Sequence, residues 1–329
     1  MKHKILTTLS LISIVSFASG QANPDQVQSR IEGTNRAQNT PVAGQLGADQ
    51  SSSNNTAAES DTGAQRPVSL SESEISAYFG YDTKYFYRSN PLAQSGALDQ
   101  VSTDMWTNTF FSGLSTVIDD GAGVYTPFLS GSYTINDYLQ DDLGDFNYNS
   151  SHLSTGLFSY YGGASTYFAK VDYNMDKSTE NDTEDYSEFF PQIGLITSYN
   201  LSDSFSVATT IGIGYHLTTI SDAGGSRVDD LLDNLDIYAM LSPSFSDIPL
   251  IDTLGITYRV SFQTYENGTY SDREDITHSF MGGYAFTLFD ADSPKLNLFS
   301  VYSSRNSNQN TFDYKSVDAG IGLTLIAEF

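Results

Sequence analysis

The chain has 329 residues, with 40 acidic side chains against 15 lysines and arginines and a formal net charge of −25. That sign excludes nucleic-acid binding by phosphate neutralisation. The absence of cysteine excludes disulfides, and also a lipid anchor on a cysteine behind a leader.

The opening MKHKILTTLSLISIVSFASGQA reads as a secretory signal peptide over 1–22. Lys2 and Lys4 supply the positive start. The apolar stretch from Ile5 to Ala18 is too short, and too broken by serine and threonine, for a spanning helix. Small residues offer cleavage after Ala18, Gly20 or Ala22. Residues 23–72 are rich in Asn, Gln, Ser, Thr, Ala and Gly. They bury too little to offset ordering and read as a disordered polar segment. A lumen plug or a cell-wall contact is the functional alternative for it.

From 73 to 329 the composition turns to Tyr, Phe, Gly, Ser and Thr. Twelve strand-like runs follow, over 75–88, 104–118, 123–135, 153–161, 164–175, 187–199, 205–218, 235–245, 254–266, 276–289, 295–305 and 314–329. In the first, Ile75, Ala77, Phe79, Tyr81, Tyr85 and Tyr87 share one face, opposite Ser76, Tyr78, Gly80, Asp82, Lys84 and Arg88. The seventh and ninth alternate as cleanly, and the last is apolar at every second residue from Val317 to Phe329. The second and eleventh carry apolar residues on both faces, so their register stays open.

Longer polar loops follow the odd strands and tight turns follow the even ones. The link at 246–253 is the least regular. Long loops on one side, short turns on the other and an even strand count predict an all-β fold, a transmembrane antiparallel up-and-down β-barrel. A β-sandwich also alternates. It does not explain oily faces running through strand after strand, with Tyr85, Tyr87, Tyr173, Phe189, Tyr199 and Phe245 near strand ends where interfacial girdles lie.

The ending resembles the C-terminal signature of bacterial outer-membrane proteins. It has a terminal Phe329 with Leu325, Leu323 and further apolar residues at alternate positions, and Ala327 where an aromatic is common. The resemblance implies residence in the outer membrane of a Gram-negative cell, contact with its lipid, and recognition by the barrel-assembly machinery. The segment FGYDTKYFYRSNPLA (79–93) resembles the opening strand of the TorF-type porin family. Gly80, Tyr81, Asp82, Thr83, Lys84, Tyr85, Tyr87 and Arg88 match, and Ser89 stands where glycine is usual. That resemblance implies a porin and names no solute.

On this register the lumen receives Asp82, Lys84, Arg88, Lys170, Asp172, His216, Arg259 and Asp318, with Glu328 at the end of the last strand. Charges in a lumen set ion selectivity if they face water, and close the barrel if they pair across it. Few of these positions are basic, which disfavours an anionic solute.

The loops are acidic. Asp137, Asp141, Asp142 and Asp145 lie in the second. Asp176, Glu180, Asp182, Glu184, Asp185 and Glu188 lie in or beside the third, and Asp222, Asp229, Asp230, Asp233 and Asp236 in or beside the fourth. An outward acidic rim concentrates cations and offers Ca²⁺ ligands, although no EF-hand spacing occurs. It is also what a merely solvated surface looks like.

A hydrolase is the rival class. His152 and Ser154 have the spacing of a His-x-Ser pair, but with Leu153 facing lipid they point inward; His278 has no clear partner. A closed structural or adhesive barrel is the third class. The sequence thus predicts a porin-like channel for passive diffusion of small solutes, with a mild preference for cations or neutral molecules and no cofactor. Its oligomeric state is left open.

Overall fold

The computed structural model describes residues 75–93, 95, 101–161, 165–180, 182, 184–202, 204–221, 227–248, 251–287 and 294–328. The signal peptide at 1–22, the polar segment at 23–72 and Phe329 lie outside the described residues.

The domain is a closed antiparallel barrel of 12 strands. They are β1 (Ile75–Arg88), β2 (Thr103–Thr116), β3 (Val124–Tyr138), β4 (Tyr148–Tyr160), β5 (Ser165–Ser178), β6 (Glu184–Ser202), β7 (Phe205–Ser221), β8 (Asn234–Ile248), β9 (Ile251–Tyr265), β10 (Glu274–Thr287), β11 (Lys295–Ser307) and β12 (Tyr314–Glu328). Each pairs with its neighbours in sequence, and β12 returns to β1 from Tyr78↔Glu328 to Arg88↔Asp318. A short strand, Ile118–Asp119, extends the β2–β3 turn, and another, Arg227–Asp229, adds to the tip of β7.

All twelve predicted strands are present, but several run further at the long-loop end. β3 continues to Tyr138, β4 starts at Tyr148, β5 reaches Ser178 and β6 starts at Glu184. At these tips the ladder hydrogen bonds persist after the oily alternation has stopped, so periodicity alone ends the strands too soon. The irregular link is tighter than its sequence indicates, because Ile248 already pairs with Ile251. The turn at 119–123 is built by two aspartates. Gly121 N–H donates to Asp119 Oδ1 at 2.8 Å, and the amides of Ala122 and Gly123 both donate to Asp120 Oδ1 at 2.9 Å. Gly121 takes φ +80°, which its missing Cβ allows.

The outer wall is a belt of exposed apolar side chains, including Phe79, Trp106, Leu153, Ile193, Ile211, Leu241, Phe280 and Leu325. Exposed Tyr85, Tyr87 and Phe189 lie toward the long-loop end, where Tyr173 packs on Phe189 at 4.9 Å. Tyr199 and the stacked pair Phe205–Phe245 lie toward the short turns. The two open registers are now fixed. Met105 and Phe111 face inward on β2, and Phe299 and Val301 on β11.

Inward glycines explain that greasy interior. Gly320 lies between Phe86 and Phe299, which pair with it from either side and meet edge-on over it at 5.7 Å. A Cβ there would come within 2.3 Å of Phe86 Cβ and of the Tyr85 carbonyl oxygen. A Cβ on Gly194 would strike the ring of Phe168, and one on Gly212 the ring of Tyr238. Rings thus lie flat on the inner wall where a neighbouring strand has no side chain. Gly320→Val should lower stability by about 2 kcal/mol through overpacking, seen as an earlier urea midpoint. Gly282→Ala, where a Cβ meets nothing within 4 Å, should leave the midpoint almost unchanged.

Candidate functional site in the barrel lumen

Strand pleating places every second side chain inside, so register decides which charges meet there. On β1, Asp82, Lys84 and Arg88 are inward and buried. Lys84 Nζ lies 3.2 Å from Asp82 Oδ1. Arg88 crosses the closing seam to Asp318 on β12, with Nη2 at 2.9 Å from Oδ2. On β5, Lys170 lies 3.3 Å from Asp172. Every one of these predicted pore positions faces inward, as do His216 on β7 and Arg259 on β9.

The larger network occupies the wall from β4 to β9. Glu188 on β6 accepts hydrogen bonds from Tyr186 Oη and Asn174 Nδ2 (2.6 Å), and lies 2.8 Å from His216 Nδ1. The other nitrogen of His216 is 3.7 Å from Asp236 Oδ2, to which Arg259 Nη2 donates at 3.1 Å. Below it Tyr238 Oη donates to Gln192 Oε1, and Gln192 Nε2 to Asp172 Oδ2, each at 2.6 Å. His216 also stacks on Phe190, with centroids 3.8 Å apart. These ion pairs run along the wall, joining residues of one strand or of adjacent strands.

Three members of this wall stay open to solvent. The side chain of Arg259 is 32% exposed, that of His152 24% and that of His216 15%. The paired Lys84, Arg88 and Lys170 are nearly closed off by comparison.

At the long-loop mouth a second cluster is sealed. Arg273 is fully buried, grips Asp275 at 2.6 Å, and lies over the rings of Phe312 and Tyr265 at 3.9 and 4.4 Å. Arg305 sits 3.8 Å from the same carboxylate and donates Nε to the Phe312 carbonyl oxygen. The short helix Asp141–Phe146 tucks Leu143 and Phe146 against Tyr138 and Tyr148 and leaves Asp141, Asp142 and Asp145 exposed. Asp233 ties its loop to β7 by accepting from the amide and hydroxyl of Thr218 at 2.6 and 2.9 Å. Burial pushes its carboxyl up, against the pull of those two bonds.

The sequence grouped Asp176, Glu188 and Asp236 with the loop acids. All three face inward and are buried: β5 runs on past 175 to take in Asp176, and Glu188 and Asp236 fall on the inward register of strands already marked in the sequence. The exposed rim retains Asp141, Asp142, Asp145, Glu180, Asp182, Asp229 and Asp230. Among the described residues no three His, Asp or Glu side chains come together to hold a metal ion. His152 and Ser154 face the lumen and Leu153 the outer belt. His152 Nδ1 is 2.6 Å from Asn174 Oδ1, so the His152–Ser154 pair lies inside the barrel. His278 points outward and meets Tyr258 Oη at 2.8 Å.

The fold is similar to several solved barrels. The COG4313 outer membrane channel from Pseudomonas putida F1 shares 12% identity over 80% of this chain and 100% of its own, with a TM-score of 0.48. The anion-selective porin from Comamonas acidovorans shares 12% over 78% and 100%, with a TM-score of 0.38. The KdgM porin shares 10% over 73% and 97%, with a TM-score of 0.36. No protein-family model and no curated protein sequence matches the chain, so the TorF-type resemblance stands on residues 79–93 alone.

The seam pair offers a direct test. Asp318→Leu strands Arg88 in a buried setting and should cost about 3–5 kcal/mol in urea unfolding. Arg88→Met combined with Asp318→Leu should recover most of that loss.

Proposed function

We propose that the protein is a bacterial outer-membrane channel for passive diffusion of small solutes, with a mild preference for cations or neutral molecules. The observation that carries this reading is the solvent left around inward Arg259, His152 and His216 in a barrel whose ion pairs follow the wall. Charges zipped along a wall do not block a path down the middle, whereas charges bridging the lumen would. The apolar outer belt supports the location. An uninterrupted oily surface of this kind is rare on soluble monomers and suits lipid. The acidic rim supports the preference, because it raises the local concentration of cations at the mouth. Leu323 and Leu325 face outward on β12, where the assembly machinery would read them together with Phe329.

Planar-bilayer conductance of the refolded protein under a salt gradient tests the reading. Stable steps with a small cation-favouring reversal potential are expected. Steps favouring anions would keep the channel and remove the preference. Silence from a demonstrably folded barrel would favour a closed structural barrel. Orientation is tested separately with a cysteine at Asp142. An impermeant thiol reagent should label it on intact cells, and labelling only after lysis would put the long loops on the periplasmic side.

A further inference from the structure

Resting on the channel reading, we propose that Arg259 is a specificity-determining residue that keeps ion preference mild by covering the carboxylate of Asp236. The two form an unequal pair. The Arg259 side chain is 32% exposed and that of Asp236 only 2%. The lysine and arginine pairs on β1, β5 and β12 are balanced: 7% and 6% for Lys84–Asp82, 4% and 5% for Arg88–Asp318, 8% and 7% for Lys170–Asp172. A balanced, closed pair shows a passing ion little net sign. The Arg259–Asp236 pair shows its cation and hides its anion.

Two contacts hold the guanidinium in that position. Nη2 donates to Asp236 Oδ2 at 3.1 Å, and the guanidinium carbon lies 4.8 Å from the ring centre of Tyr238. Tyr238 is itself fixed by Gln192. Pairing across β8 and β9 sets Arg259 opposite Met240, and on β10 it meets Ser279, so neither flanking position in that row brings a second charge. Behind it Asp236 also faces His216 at 3.7 Å. The carboxylate has one further oxygen, Oδ1, buried without a hydrogen-bond partner, and Arg259 Nε is in the same state.

The consequence is opposition between mouth and lumen. The acidic rim draws cations in, and Arg259 presents a positive charge to the water path beyond it. Removing the guanidinium takes the pair from neutral to a net negative charge, because Asp236 is left without its arginine partner.

The test is the reversal potential of Arg259→Gln in bilayers under a tenfold KCl gradient. The potassium-to-chloride permeability ratio should rise by about fivefold, as a one-charge change about 8 Å from a hydrated path would give, acting with opposite sign on the two ions. Arg259→Lys should stay near wild type. Asp236→Asn should move toward chloride, and the double variant should fall between the two single ones. The chain has no native cysteine, so Arg259→Cys supplies a single thiol. Modifying it with an aminoethyl thiosulfonate restores a positive charge and should reverse the shift without refolding.

Conducting Arg259→Gln channels with the wild-type reversal potential would overturn the assignment and leave the channel standing. Silence from wild type and every variant alike would remove the channel and this assignment with it.

Discussion

The closing ladder between β1 and β12 is the constraint on which the other features rest. An open sheet of this length exposes two rows of unpaired amides and carbonyls, a template for pairing with other chains. Pairing Tyr78–Arg88 with Asp318–Glu328 removes both edges at once. Closure then fixes the register of every intervening strand, and register sends alternate side chains to opposite faces of the wall. The oily outer belt, the paired inner charges and the glycine seats for aromatic rings all follow from that division.

The same division explains how much could be read from sequence. The faces of the first, seventh, ninth and last strands were legible because their two sides differ sharply in polarity. β2 and β11 were not, because Phe111 lies against Gly80 and Phe299 against Gly320. An inner wall with glycine seats can hold rings, so apolar residues appear on both faces of the pattern. Strand tips were cut short for a related reason: beyond the oily belt both faces are polar, and the alternation that marks a strand vanishes while its hydrogen bonds do not.

The site was legible as a set of positions and not as a set of partners. Asp82, Lys84, Arg88, Lys170, Asp172, His216, Arg259 and Asp318 could be placed on inward faces one strand at a time. Which of them touch depends on the offset between strands, and that is absent from any single stretch. Arg88 and Asp318 meet from 230 positions apart. Glu188 and Asp236, which hold His216 and Arg259, were obscured by lying in acidic runs that resemble loops. Both lie inside the runs at 187–199 and 235–245, so carrying the alternation of β6 and β8 through those runs recovers both as inward positions.

That 230-residue separation bears on biogenesis. Contacts this distant cost the most chain entropy to form and come late. Until β12 has been made, β1 has no partner for one side of its backbone, although its other side can already pair with β2. A nascent chain therefore carries an adhesive edge for as long as its synthesis lasts. The electrostatic pair that secures the seam, Arg88 with Asp318, cannot help during that interval, since its two halves arrive at opposite ends of the process. The barrel is thus secured by its last-formed contact, and the unfinished chain must be kept apart from others like it until that contact is made.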